Sequence, residues 1–307
     1  MLKFADIQAA AERLRPHLQP TPLEGYGADL WLKLENANRT HSFKVRGALN
    51  ALLALTDAER AAGVITASSG NHAQGIAYAA HLTGTRARVL MPIHAPKKKI
   101  AGVQRYGADV VLHGAGYAET EIEARRQERA DGLIYVSPYN DVKVAAGNGT
   151  VGLEIVEALP RVERVIVPVG GGGLISGIAT AVKGLRPTVE VIGVNAAVSP
   201  DMYNLFYNTD LPVTYDTLAD ALPGDIEAGS LTVPVTQALV DQMVLVSEAE
   251  IAAAMRWLIT EAGWLVEGGG AVGLAALLAG VIPRDKVTAV VISGGNVDLE
   301  VIRQVIG

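Results

Sequence analysis

Four consecutive glycines, Gly170 to Gly173, follow the apolar run VERVIVPV (Val162–Val169) and precede the helix-like run LISGIATAVKGL (Leu174–Leu185). A strand, a bare glycine loop and a helix in that order make a cup for a phosphate. Glycine allows φ > 0 and lets the backbone approach a ligand with no Cβ in the way. The free N–H groups and the dipole at the start of the helix attract the anion. Two further segments share this grammar: VITASSGNHAQG (Val64–Gly75) and AVVISGGNVD (Ala289–Asp298). Each alone is also ordinary turn chemistry. In parallel sheets, however, ligands gather at the carboxyl ends of strands, so three such ends can converge on one small molecule.

The glycine loop lacks the GK[ST] ending of a nucleoside-triphosphate site. It also lacks the acidic residue that a dinucleotide site carries about twenty positions on. In SSGNH (Ser68–His72), side-chain donors stand beside the free N–H groups of a helix start, which suits a carboxylate. Lys44 lies in SFKVRGALNALLAL between Phe43 and Val45. A lysine on an apolar helix more often snorkels to solvent, but a desolvated one has a lowered pKa and can form a Schiff base. Phosphate cup, carboxylate site and lysine amine together suit pyridoxal 5′-phosphate.

Short apolar runs alternate with helical patterns along the chain, which predicts an α/β fold with parallel sheets. Strands are expected at Gly63–Ala67, Ala87–Pro92, Asp109–Leu112, Leu133–Val136, Val162–Val169, Val189–Val194 and Val287–Ile292. Helices are expected at Ile7–Leu14, Phe43–Leu53, His72–Leu82, Ala118–Ala130, Gly149–Leu159, Glu248–Ala262 and Ala271–Leu278. Residues 53–139 read as a small inserted α/β domain; residues 1–52 and 140–307 form the larger, cofactor-binding one. Of the 307 residues 50% are hydrophobic and 19% charged, so the chain has a well-developed core. The net charge of -6 argues against nucleic-acid and acidic-membrane partners. Lys97–Lys99 is the one tight basic cluster and reads as a solvated helix start after Pro96. No cysteine is present, which removes disulfides and thiolate chemistry and fits a cytoplasmic setting. No signal sequence is evident at the N-terminus, and Gly268–Ile282 is shorter than the ~18 residues that suggest a membrane span.

The motif set resembles the fold-type II pyridoxal-phosphate enzymes, in the branch of the serine/threonine dehydratases and serine racemases. TPLEGYGADLWLKLEN (Thr21–Asn36) and THSFKVRGA (Thr40–Ala48) resemble the family's N-terminal and lysine motifs. ASSGNHAQG, GNGTVGLEI (Gly147–Ile155), VGGGGLISG, LADAL (Leu218–Leu222), LVEGGGAVGLAAL and SGGNVD follow in the family's order. The resemblance implies a two-domain fold of tryptophan synthase β type, with open, mostly parallel sheets. It implies that Lys44 holds the cofactor covalently and moves protons, that Phe43 packs near the ring, and that Asn71 contacts the ring's 3-oxygen. Gly170, Gly171, Gly172, Gly173 and Leu174 would bind the phosphate. Ser293 would meet the pyridine nitrogen, and Glu267 would lie near the ring. Ser68, Ser69, Gly70, Asn71 and His72 would surround the substrate carboxylate.

The implied activity is a lyase reaction: β-elimination from a β-hydroxy amino acid, L-threonine or L-serine first, giving a 2-oxo acid and ammonia. Racemisation is the nearest alternative, with Ser69 as the second acid/base. Dehydration of 3-hydroxyaspartate or phenylserine, β-replacement, and a non-catalytic phosphate-ligand binder are the others. The chain departs from the family pattern at His41 (glycine is common), Asn148 (glutamine), Ala221 (glycine) and the glycines after Glu267 (proline). Asn195 stands where cation-binding relatives carry glutamate; its carbonyl could still ligate a divalent cation, but no metal site is predicted. A homodimer is the family expectation. Ending at Gly307, the chain is expected to be a catalytic core without a feedback module.

Overall fold

The structure, a computed structural model, describes residues 2–307. The chain opens with α1 (Phe4–Leu14), a hairpin of β1 (Leu23–Gly25) and β2 (Leu30–Leu34), then α2 (Lys44–Leu53) and α3 (Asp57–Ala62). Strand–helix units follow: β3 (Val64–Ala67), α4 (Asn71–Thr83), β4 (Ala87–Met91), α5 (Lys97–Gln104), β5 (Asp109–Leu112), α6 (Tyr117–Asp131) and β6 (Ile134–Tyr135). Next come α7 (Val142–Ala158), β7 (Arg164–Pro168), α8 (Gly173–Leu185), β8 (Glu190–Ala196) and α9 (Asp201–Tyr207). After an irregular stretch, residues 208–231, the chain closes with α10 (Thr232–Leu239), β9 (Gln242–Val246), α11 (Glu248–Thr260), α12 (Gly268–Leu278), β10 (Thr288–Ile292) and α13 (Leu299–Ile306).

Two sheets result, as the alternating pattern requires. The larger has the order β1-β2-β10-β7-β8-β9, parallel except for the β1–β2 hairpin. The smaller is fully parallel in the order β5-β4-β3-β6. Strands β7 and β10 are buried along their whole length, which explains their unbroken apolar character.

The carrier of Lys44 is fixed by backbone-to-backbone contacts. A Cβ on Gly147 of α7 would lie 2.5 Å from the carbonyl oxygen of Arg46 in α2, and one on Gly47 would lie 2.7 Å from that of Val144. A Cβ on Gly149 would lie 2.8 Å from the carbonyl of Gly177 in α8. GNGTVG is therefore a packing motif: it lets α7 touch both the lysine helix and the helix behind the glycine loop.

The sequence pattern misses β1, β2 and β9, and it misses α3, α9, α10 and α13 as elements, while α5 begins at Lys97 after Pro96, the helix start read from the basic cluster. The hairpin escapes because Lys33 sits buried mid-strand, against the alternation that marks a half-buried strand. The expected start of α7 at Gly149 falls seven residues late, because glycines near its first turn hide the helix that Asp141 caps through Val144 N (2.9 Å). In α10, Pro234 lies in the first turn, where its missing N–H has no intrahelical role. Among the described residues no helix is long and apolar enough to cross a membrane.

Candidate active site

Three strand ends meet as the motif grammar anticipates. Ser68–His72 after β3, Gly170–Leu174 after β7 and Ser293 after β10 line one cavity of about 820 Å³ together with Phe43, Lys44 and Glu267. Lys44 is the first residue of α2, with Phe43 as N-cap. The Phe43 amide donates to the carbonyl of Ser293 (3.0 Å), which ties the head of α2 to the end of β10. Lys44 Nζ donates to the carbonyl of Pro138 (2.7 Å) and lies 5.1 Å from the centre of the Phe43 ring. Burial brings its pKa down to about 8, against the opposing pull of Glu267. A substantial share of the amine is then neutral at physiological pH, which an ordinary lysine does not offer.

The glycine loop is a tight cup. Its backbone amides from Gly170 through Ile175 have no acceptor within the described protein. They stand at the head of α8, whose dipole reinforces them. Gly172 has φ +84°, a conformation that requires glycine. The other glycines are demanded by proximity: a Cβ on Gly171 would lie 2.6 Å from the Tyr139 ring, and one on Gly170 would lie 2.5 Å from the Leu222 carbonyl. Thr232 Oγ1 donates to the Gly171 carbonyl (2.8 Å). Asn195 Nδ2 donates to the carbonyl of Val169 (2.9 Å), bracing the strand end just before the cup.

At the head of α4 the N-cap is Gly70, and the first-turn amides of Asn71, His72 and Ala73 have no intrahelical acceptor. Ser68 Oγ accepts from Gly70 N (3.2 Å), and Ser69 is half-buried on the cavity wall. The His72 ring turns away from this anion-type site, with Nε2 3.2 Å from the carbonyl of Val136. Burial and the Lys44 charge push its pKa down to about 3, so the ring stays neutral. Its backbone N–H, and not its imidazole, is what this position offers a carboxylate.

Sequence reasoning misses the partner that binds these pieces together. Asn71 Nδ2 donates to Glu267 Oε1 (2.7 Å), Asn296 Nδ2 donates to Asn71 Oδ1 (2.8 Å), and Asn296 N donates to Glu267 Oε2 (3.2 Å). This closed triangle links the head of α4 to the large sheet. Asn71 is thus engaged on both sides of its amide, and Asn296 is the residue that fixes it. Burial and the nearby Asp220 raise the Glu267 carboxyl to about 7. The signal for Asn296 lay in SGGNVD, but its partner Asn71 is 225 positions away.

The backbone at His41 favours glycine, and nothing in the structure explains the histidine. Thr40 and His41 have φ +59° and +55°. That left-handed region disfavours residues with a Cβ by roughly 1–2 kcal/mol each. It aims the Thr40 carbonyl at Asn296 Nδ2 (2.8 Å) and the His41 carbonyl at Gly295 N (2.9 Å).

Comparison with known proteins agrees with this geometry. The family model described as pyridoxal-phosphate dependent enzyme matches residues 14–294. An L-threonine ammonia-lyase from Thermotoga maritima is 42% identical over 319 residues, covering 100% of this chain and 78% of that protein. The catabolic L-threonine dehydratase of Escherichia coli K12 is 43% identical, covering 98% of this chain and 95% of that protein. The solved structure of maize serine racemase superposes with a TM-score of 0.92 at 32% identity, covering 99% of this chain and 97% of that one.

Proposed function

The chain belongs to the pyridoxal-phosphate dependent enzyme family, and we propose that it is an L-threonine ammonia-lyase that also accepts L-serine. The single observation that carries this reading is the shared cavity: a buried lysine with a lowered pKa, a ring of acceptor-free amides at the head of α8 and a second helix head at Asn71–Ala73. Near-full-length identity to threonine ammonia-lyases supports the substrate class.

The residues present fit pyridoxal phosphate. The amides of Gly170–Leu174, in a loop whose glycines lie too close to Leu222, Tyr139 and Thr232 to carry a Cβ, would suit its phosphate. Lys44 Nζ would attach its aldehyde carbon, Phe43 would flank the ring, and the Ser293 hydroxyl would meet the ring nitrogen. Asn71, positioned by Glu267 and Asn296, would offer the second hydrogen of its Nδ2 to the ring's 3-oxygen. When bound, the cofactor supplies an electron sink that makes the α-hydrogen of an amino acid acidic.

The chain's own groups do the rest. The amides of Asn71 and His72, with Ser68 and Ser69, orient the substrate carboxylate. Lys44 Nζ would take the α-proton and pass a proton to the departing β-hydroxyl, which would leave as water. Hydrolysis of the released enamine then yields ammonia and the 2-oxo acid. Ser293 tunes this outcome, because a neutral hydroxyl cannot keep a proton on the ring nitrogen as a carboxylate would. Within this reading, residues 53–139 form a small domain inserted in the larger one (1–52 and 140–307), and the enzyme is a cytoplasmic homodimer.

Two experiments bear on this reading. The rate at which the cofactor-free chain attaches pyridoxal phosphate should rise with pH and level off with an inflection near 8, because only the neutral Lys44 amine attacks the aldehyde. An inflection near the ordinary lysine value would contradict the buried setting. A panel of L-threonine, L-serine, 3-hydroxyaspartate and phenylserine, read by 2-oxo acid release, should rank threonine first in kcat/KM. A higher rate on 3-hydroxyaspartate would move the assignment within the family. The likeness to maize serine racemase and the place of Ser69 on the cavity wall favour racemisation as a second reading. Chiral assay of residual serine, with Ser69→Ala alongside, separates the two.

A further inference from the structure

Residues 208–231 contain no helix or strand, an unusual length for an irregular segment inside a compact fold. Their middle lies on the glycine cup: the Leu222 carbonyl covers Gly170, while Pro223 and Gly224 line the cavity. The first part is fixed by Glu248, which accepts from Leu218 N (2.7 Å) and Thr217 Oγ1 (2.6 Å). From Pro223 to Leu231 the picture changes. Among the described residues, every hydrogen bond here that reaches beyond residues 208–232 ends on Tyr139 or Asn140. Glu227 N donates to Tyr139 Oη (3.0 Å), Asn140 Nδ2 donates to Glu227 Oε1 (2.8 Å), and Leu231 N donates to Asn140 Oδ1 (2.9 Å).

Tyr139 also sits on the other side of the cup, with Asn140 next to it in the same turn. The Tyr139 ring closes on Gly171, and its backbone on Gly173. Ser137 Oγ accepts from Asn140 N (3.1 Å) and fixes this turn, while Pro138 presents its carbonyl to Lys44. One short turn therefore supports the cup from beneath and holds the covering segment down from the side.

We propose that Tyr139 and Asn140 are positioning residues that clasp residues 208–231 over the glycine cup and thereby set how tightly the cup holds the phosphate of its ligand. The proposal rests on the reading of Gly170–Gly173 as the phosphate site. The Tyr139 ring shapes the cup, and its hydroxyl, with both ends of the Asn140 amide, keeps the cover closed.

The test uses the full chain freed of cofactor and titrated separately with pyridoxal phosphate and with pyridoxal, which lacks the phosphate. Tyr139→Phe keeps the ring and removes one hydrogen bond, so pyridoxal phosphate should bind roughly three- to ten-fold more weakly. Asn140→Ala removes two and should weaken it by about ten-fold or more. Pyridoxal binding should change less than about two-fold in either, since no phosphate contact is involved. Limited proteolysis gives a second readout: cleavage within 208–231 should quicken in both variants, and inorganic phosphate should protect the wild type more than either variant. Equal loss of both ligands, or no loss of either, overturns the proposal while leaving the functional reading intact. A wild type that binds no pyridoxal phosphate overturns both.

Discussion

Replacing Lys44 with alanine is expected to eliminate 2-oxo acid release, a fall on the order of 10⁴-fold or more, since the group lost is both the attachment point and the acid/base. The structure explains why no neighbour can substitute. His72 is held neutral with its ring on Val136, and Glu267 is committed to Asn71 and Asn296. Lys44→Arg keeps a cation but not a usable amine, because a guanidinium stays charged, and should be as inactive as the alanine variant. Both variants should keep the fold, since Nζ makes a single hydrogen bond, to Pro138. Unchanged melting with lost turnover is the pattern expected. Loss of fold in both would mean that the lysine is structural.

The second large effect lies beneath the site. Arg46, two residues beyond Lys44 on α2, is 2% exposed, and Glu35 is fully buried beside it. Arg46 Nε and Nη2 pair with the two oxygens of Glu35 at 2.8 Å each, and Nη1 and Nη2 reach Glu154 at 2.5 and 2.8 Å. Lys33 Nζ completes the group on Glu154 (2.5 Å) and the Thr21 carbonyl (2.7 Å). Two cations balance two anions. Burial pushes the Glu35 carboxyl up, but Arg46 overcomes it and holds the group below its ordinary value.

Arg46→Met removes one cation and leaves a carboxylate buried without its partner, a change that costs about 3–5 kcal/mol. The pH dependence has a definite sign. In the wild type the depressed Glu35 pKa contributes stability that is present above about pH 4.3 and lost as pH falls through the folded value. In the variant, protonation relieves the stranded charge, so the gap between the two proteins should narrow toward low pH. Denaturant unfolding from pH 4 to 8 checks this, and a gap constant across that range would show that Arg46 contributes packing alone. Because the network braces the helix that carries Lys44, weakened cofactor retention should accompany the lost stability.

How much of this was legible beforehand depends on sequence distance. The glycine cup, Lys44 at a helix head and the helix start at Asn71 are local: each is a contiguous motif whose chemistry shows in its own residues. The parallel α/β organisation was legible for the same reason, since β7 and β10 are buried on all sides and read as apolar runs. What stayed hidden was pairwise and remote. Lys33 is tolerable in a buried strand only because Glu154, 121 positions on, neutralises it. Asn71 is held by Glu267, 196 positions away, and Tyr139 finds Glu227 88 positions along. No periodicity or spacing encodes such a partner. Gly147 and Gly149 stood out only as part of a motif, and their role as contact points between helices depends on α2 and α8, which the motif itself does not name.

The central claim is that Lys44, the glycine cup and the head of α4 together perform β-elimination on threonine. The most direct measurement supplies L-threonine to the cofactor-loaded wild type and to Lys44→Ala side by side, and quantifies threonine, 2-oxobutanoate and ammonia in the same samples. The account predicts one 2-oxobutanoate and one ammonia for each threonine consumed by the wild type, and no turnover by the variant. Threonine consumed without 2-oxobutanoate, or a variant as active as the wild type, would contradict it.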